Sequence, residues 1–450
     1  MRNALFLLLL PLLVAGTATS QPVTLTLEKS VQIAIDKNLS VIQARNNFAA
    51  QQYGVTAATG GLLPSFGASA SFSRNQAWTP SGVSIQGGQY VKYGGYSPSN
   101  QYSTGVSGSY VLFNGFANTS NISYARSNAN ASEYTLDRTQ QTTVNQTHVS
   151  FLNIFRTYEL MKVSNDNLER DKKQLERIVE SNKVGALALA DVYRQQAQVG
   201  ADEFALIQAQ SNHEKAKADM IAFLGVDIGM EYTFDFSGIP SDIDTTEFAP
   251  LNATYSDYQN LVSTAIAKRP DYRGSIETLN SAEASVTMAR ASYMPTITAS
   301  GSFGYSGFDY LSGSNYLTDN RALSFGFNAS LPIFNGFSRE NQVEQAQVGR
   351  MNAEQQVKQN ERQVRVDVRK ALLDLEAAEK EVRVSQTTIT SALMDRQIAE
   401  EKYNLGSGTL LDLLTASANY TTAVSNKVSG VVDYLTAKKQ MEYVLGVIVR

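Results

Sequence analysis

Four stretches of the chain alternate strictly between two kinds of side chain. From Ser65 onward, Phe66, Ala68, Ala70 and Phe72 occupy one face, and Ser65, Gly67, Ser69 and Ser71 the other. Tyr102, Thr104, Val106, Gly108, Tyr110 and Leu112 likewise oppose Ser103, Gly105, Ser107 and Ser109. Farther along, Ile297, Ala299, Gly301, Phe303 and Tyr305 oppose Thr296, Thr298, Ser300 and Ser302. Last, Leu323, Phe325, Phe327, Ala329 and Leu331 oppose Ala322, Ser324, Gly326 and Asn328. A period of two means strands, expected over 65–78, 101–113, 296–307 and 321–333. The second face is small and neutral. That suits a water-filled lumen better than the Lys- and Glu-rich exterior of a soluble sandwich.

Between the strand pairs the period changes. Val357, Val364, Val368, Ala371, Leu375, Ala378, Val382, Ile389 and Leu393 follow in steps of three, four and seven, the spacing of a coiled-coil seam. From Gly115 to Gly185 and from Gly336 to Gly406 the chain runs 70 residues, about 105 Å as helix. No proline lies between Pro98 and Pro240, and none follows Pro332. Each return helix, about 60 Å, is too short to match its partner, and helices over 25–60 and 257–292 would add about 50 Å. Short helices from the two ends are therefore expected to stack into a second column beside each long one.

The chain is written twice. Ala34-Ile35-Asp36-Lys37 recurs as Ala265-Ile266-Ala267-Lys268, and Leu63-Pro64-Ser65 as Met294-Pro295-Thr296, both shifted by 231. Phe113-Asn114-Gly115-Phe116 recurs as Phe334-Asn335-Gly336-Phe337 at a shift of 221. The same shift carries Gly185 to Gly406, Asp191 to Asp412 and Leu224-Gly225-Val226 to Leu445-Gly446-Val447. One copy covers 21–226, with a long helix to 185. The other covers 257–450, with a long helix to 405, and 227–256 links them.

Four strands cannot close a barrel, and an open edge in lipid leaves backbone groups unsatisfied at several kcal/mol each. Strand edges must then pair with other copies. Three chains would give twelve strands, although the sequence leaves two or four open. Residues 1–20 read as a secretory signal: Arg2, the apolar stretch Ala4–Ala15, then Ala18-Thr19-Ser20 before Gln21. No later segment is long and apolar enough for a transmembrane helix, so any crossing is made by strands.

Composition narrows the chemistry. With 38 Lys+Arg against 42 Asp+Glu, nothing points to nucleic acid. The chain has no cysteine and only two histidines, His148 and His213, isolated on polar helices, so no metal site, cofactor or enzymatic nucleophile–base pair is expected.

These residues resemble the TolC-like outer-membrane factor family over nearly all of the mature chain. The carriers are the duplicated order, the two strand entries, and Leu331-Pro332-Ile333-Phe334-Asn335-Gly336-Phe337. The strongest is Tyr403-Asn404-Leu405-Gly406-Ser407-Gly408-Thr409-Leu410-Leu411-Asp412-Leu413-Leu414, similar to the family's hairpin-tip motif. The resemblance implies an α+β membrane protein. Four strands per chain would enter a twelve-stranded barrel in the Gram-negative outer membrane, and a long α-helical coiled-coil barrel would cross the periplasm. It further implies a homotrimer that works as the exit duct of a tripartite efflux pump or type I secretion system, performing no chemistry. The implied partners are a periplasmic adaptor protein, an inner-membrane transporter and outer-membrane lipid. A trimeric autotransporter-like adhesin, whose four strands would form one C-terminal block, and a soluble periplasmic helical protein fit less well. Cargo is not legible.

By the same resemblance Asp191, Asp412 and Tyr403 belong to a periplasmic gate at the hairpin tips. Gly185, Leu187, Gly406, Gly408 and Leu410 belong to tip turns that dock the adaptor, and Gly115 and Gly336 mark strand-to-helix junctions. Thr409 and Asp412 also make a capping-box pattern, a purely local role for the carboxylate. Gly408 and Thr415 stand where better-known members carry an arginine and a second aspartate. The loop Ser81–Asn100, with Tyr90, Tyr93 and Tyr96, and the loop Gly307–Asn320 are expected to face outward, and Trp78 to anchor a strand end at the interface.

Overall fold

A computed structural model describes residues 23–307 and 321–448. The leader expected over 1–20 and loop residues 308–320 lie outside the described residues. In order, the elements are β1 (Val23–Leu25), α1 (Leu27–Lys37), α2 (Leu39–Gly60), β2 (Ser65–Gln86), β3 (Gln89–Asn114), α3 (Ala117–Lys183) and α4 (Leu189–Leu224). There follow β4 (Tyr232–Phe234), α5 (Phe248–Thr254), α6 (Tyr258–Lys268), α7 (Pro270–Ala291), β5 (Thr296–Gly307), β6 (Arg321–Ser330), α8 (Ser338–Asn404) and α9 (Leu410–Val444). The duplication is exact in the long helices: α3 and α8 each have 67 residues. No described helix is long and apolar enough to cross a membrane.

The chain divides into two compact units, and α2, α3 and α8 each contribute to both. One unit, Gln43–Arg138 with Arg269–Val364, holds an antiparallel sheet in the order β2-β3-β5-β6. Phe66 pairs with Gly108 and Gly301 with Phe325, so at both outer strand pairs a phenyl ring lies over a glycine on the apolar face. That face runs to Arg74 on β2 and Arg321 on β6, where charge ends the apolar band.

The first hairpin is longer than the alternation suggested. Strands expected over 65–78 and 101–113 run to Gln86 and start at Gln89, so most of the expected loop 81–100 is paired strand. A register shift between Thr79 and Gly82, opposite Gly94 and Gly95, breaks the period of two, and Gly87-Gly88 closes the turn. Trp78, Tyr90, Tyr93 and Tyr96 are exposed on this extension, with Trp78 and Tyr96 ring centroids 6.4 Å apart. The last strand stops at Ser330 rather than 333, because Pro332 offers no N–H to a ladder.

The described residues of the other unit, Met1–Ile42 with Thr139–Lys268 and Arg365–Arg450, are helical apart from connecting turns and one small sheet. There β1 and β4 pair in parallel, Val23 against Tyr232. Leu25, Phe151, Ile154, Met220, Leu224 and Tyr232 bury one core around that sheet. Phe248, Leu375, Val382, Val431 and Tyr434 bury another, so the stretch expected as a linker over 227–256 is ordered packing. The helices expected over 25–60 and 257–292 are each two helices. Asn38 breaks the first in extended conformation, and Arg269 the second, because the residue before a proline avoids helical backbone. The end of α4 meets the α1–α2 junction: Asn38 Nδ2 donates to Phe223 O at 2.7 Å.

Of the nine seam positions on α8, Val364, Val368, Ala371, Leu375, Ala378 and Val382 are buried. Val357, Ile389 and Leu393, which flank them, are half-buried.

Candidate functional site: the polar sheet face and the hairpin tips

The sheet's second face is a field of hydroxyls and glycines. Across the four strands the rows read Ser65, Ser109, Ser300, Gly326 and then Gly67, Ser107, Ser302, Ser324. Hydroxyls bridge neighbouring strands: Ser65 to Ser109 at 2.8 Å, Ser71 to Ser103 at 2.7 Å and Ser302 to Ser324 at 2.8 Å. No charged side chain sits in these rows. Such a surface can hydrogen-bond to water while carrying no fixed charge.

Each strand pair hands over to its long helix through two successive left-handed residues. Gly115 and Phe116 have φ of 66° and 67°, and Gly336 and Phe337 have 67° and 64°. A phenylalanine in that region is uncommon. Packing holds it there in both copies: Phe113 meets Phe116 edge-on at 5.5 Å, and Phe334 meets Phe337 at 5.5 Å. Asn114 Oδ1 accepts the Asn118 N–H at 3.3 Å, capping the start of α3. In the second copy Arg339 donates to Pro332 O at 2.6 Å and Ile333 O at 2.9 Å. The doubled left-handed step was not visible in Asn-Gly-Phe alone.

At the far ends of α3 and α8 the turns are also duplicated. Gly185 donates to Asn182 O at 2.9 Å and Ala186 to Ser181 O at 2.9 Å. Gly406 and Ser407 repeat the pattern on Tyr403 O at 3.0 Å and Lys402 O at 2.9 Å. Both glycines are left-handed, as this helix ending requires. The tips of the two copies share a core of Ile178, Val192 and Leu410, with Leu175, Leu187, Tyr403 and Leu414 against it.

The expected site residues separate here. Asp412 closes a capping box: its N–H donates to Thr409 Oγ1 at 3.2 Å, while the Thr409 N–H and hydroxyl donate to Asp412 Oδ2 at 3.1 and 2.7 Å. Those bonds hold the exposed carboxyl below the usual carboxylate range. Asp191 has alanine at its cap and pairs instead with Arg194 at 3.2 Å. Tyr403 turns its ring into the tip core, and its hydroxyl is enclosed without a partner among the described residues. Burial, and then the Asp191 charge, push that phenol up.

The residues expected to dock the adaptor differ in exposure. Leu410 is buried and Leu187 half-buried in the shared core, because the two hairpins close against each other there. Exposed apolar side chains at the tips include Val184 at 80%, Leu405 at 83%, Leu411 at 61% and Leu189 at 55%. Val184 and Leu405 occupy the same position in the two copies, a signal that comparing the repeats residue by residue would have found. Gly408 is fixed by packing: a methyl there would come within 3.0 Å of Lys402 Cβ.

Known proteins share this fold. The outer membrane efflux protein family matches residues 30–226 and 261–447. Outer membrane protein TolC of Escherichia coli is 21% identical over 327 residues, 71% of this chain. The matched part spans 64% of that relative's length. Outer membrane efflux protein BepC of Brucella suis is 24% identical over 73% of this chain and 69% of its own. The crystal structure of the Campylobacter jejuni CmeC outer membrane channel superposes with a TM-score of 0.76 at 20% identity, covering 93% of this chain and 85% of that one. With both repeats matched by one family and the whole fold shared with a solved channel, the chain belongs to the outer membrane efflux protein family.

Proposed function

We propose that the chain is one third of an outer-membrane exit duct, which conducts substrates passively from an inner-membrane transporter and its periplasmic adaptor to the outside. One observation carries this reading: a four-stranded sheet with an apolar face, a neutral hydroxyl face and two outer edges that only other copies can pair. Three copies give twelve strands, lipid on the outside and water within. The long helices continue the duct through the periplasm. The half-buried seam positions Val357, Ile389 and Leu393 are suited to neighbouring copies. The tips form the entrance, where Asp191 and Asp412 from three chains would make a six-carboxylate rim and favour cations. Adaptor docking falls to the exposed Val184, Leu405 and Leu411 around the glycine turns.

Conductance across a planar bilayer tests the reading. The wild-type protein should form long-lived pores with cation preference. Asp191→Asn with Asp412→Asn should weaken that preference several-fold, and asparagine can still accept the Thr409 bonds, so the cap survives. Absence of pores would overturn the duct, and pores of unchanged selectivity would overturn the rim.

A further inference from the structure

Beyond the tips, one polar pair has no place in a passive wall. Asp171 on α3 and Asp202 on α4 are 9% and 7% exposed and lie where the two helices pack, their sequence neighbours Lys172 and Glu203 being paired at 3.3 Å. Asp202 Oδ1 takes the Gln198 amide at 3.1 Å, while Oδ2 is buried with no donor among the described residues. Gln195, fully buried beside them, donates to Asp171 O at 3.2 Å and leaves its own Oε1 without a partner. Two ionised carboxylates in contact at this depth would combine like-charge repulsion with a desolvation penalty.

Of the surrounding cations only Arg170 acts on Asp171, weakly against the effect of burial, and its hydrogen bonds go elsewhere. On α3, Arg170 donates to Asn167 Oδ1 at 2.7 Å and lies 5.8 Å over the Tyr420 ring of α9. Arg396 of α8 covers the same ring at 4.7 Å. Lys172 pairs with Glu203 at 3.3 Å, and Arg177 with Glu400 at 3.5 Å. Lys173 is exposed on the rim of a cavity of about 110 Å³ that Asp171 also lines. Neither carboxyl forms an ion pair among the described residues, and two carboxyl groups can hydrogen-bond to each other only if they share a proton.

We propose that Asp171 and Asp202 are a proton-binding site: one shared proton fastens α4 to α3, and its loss loosens the first hairpin. The site lies 14 residues before Gly185, about 20 Å from the tip. Burial first, and then Asp202, raise Asp171 to about 7. An opened hairpin returns Asp171 to an ordinary value near 3.8. The packed state therefore holds the proton where the opened state has released it. Stability from this site is complete below about pH 4 and is lost as pH rises through about 7.

Hydrogen exchange of the purified full-length protein, corrected for base catalysis, tests this on the α4 amides around Gln195–Asp202. In the wild type the opening constant should rise by up to about tenfold per pH unit between about pH 4 and 7, then level off. Asp171→Asn has no proton to lose, and its amide can donate to Asp202, so its opening should be independent of pH over that range. Asp202→Asn leaves Asp171 buried but removes its paired carboxyl. Its pH slope should therefore be smaller than in the wild type and level off at lower pH, which guards against a folding defect in the first variant. Infrared spectra of carboxyl-labelled aspartate should show a protonated band at about pH 6 that Asp171→Asn lacks. Equal pH slopes in wild type and Asp171→Asn, or no such band, would overturn the proposal. Tightening at about pH 8 by millimolar magnesium or calcium would replace the proton with a bridging cation and overturn it as well.

Discussion

Phe325→Arg is expected to abolish accumulation in the outer membrane, while Ser324→Arg, one residue away, is expected to assemble. The two side chains stand on opposite faces of β6, one over Gly301 on the apolar side and one hydrogen-bonded to Ser302 on the hydroxyl side. An arginine facing lipid costs about 2–4 kcal/mol at mid-bilayer depth, and a trimer would carry that cost three times. On the hydroxyl side the same residue reaches water. Three guanidinium groups in a neutral lumen should turn the pore toward anions, read as a change in the sign of its reversal potential. Membrane fractionation with bilayer recording separates these outcomes. Equal tolerance of both substitutions would mean the faces have been assigned wrongly.

Gly115→Ala should cost far more than Gly336→Ala, although the two glycines occupy the same position of the repeat. Both have positive φ, so each alanine carries about 1 kcal/mol of backbone strain. At Gly115 an added methyl would meet Met294 Cβ at 2.6 Å and Ala291 O at 2.7 Å, and a backbone oxygen yields only if the strand-to-helix junction moves. At Gly336 nothing lies within 4 Å. Gly115→Ala is therefore expected to destabilise by about 3 kcal/mol or more, with loss of assembled protein, and Gly336→Ala by about 1 kcal/mol. Thermal unfolding followed by circular dichroism would measure both. Equal shifts would show that the junction in the first copy is softer than its packing implies.

Much of the architecture was legible because the chain states it twice and in two periods. Strict alternation announced Ser65–Phe72 and Leu323–Leu331 as strands, and the seam around Val368 and Leu375 announced a long helix with one packed face. Legibility failed where a local event overrode the period. The shift at Thr79–Gly82 hid the outer half of the first hairpin, since slipping the register exchanges the two faces of everything beyond it. Three-residue strands such as Val23–Leu25 are too short for any periodic signal, and the partner Tyr232–Phe234 lies more than 200 residues away. At the tips, Thr409 and Asp412 were readable as a cap because capping is local in sequence. The burial of Leu410 was not readable, because it depends on Ile178 and Val192 from the other copy. The Asp171–Asp202 pair escaped because it forms only when α4 folds back on α3, and in sequence both look like ordinary solvated aspartates.

The central claim is that this chain supplies four strands of a twelve-stranded wall. Native mass spectrometry of the protein extracted from outer membranes without boiling measures it most directly. Three chains per particle, collapsing to one on heating, is the predicted result. A monomer, or a particle of two or four chains, would contradict it.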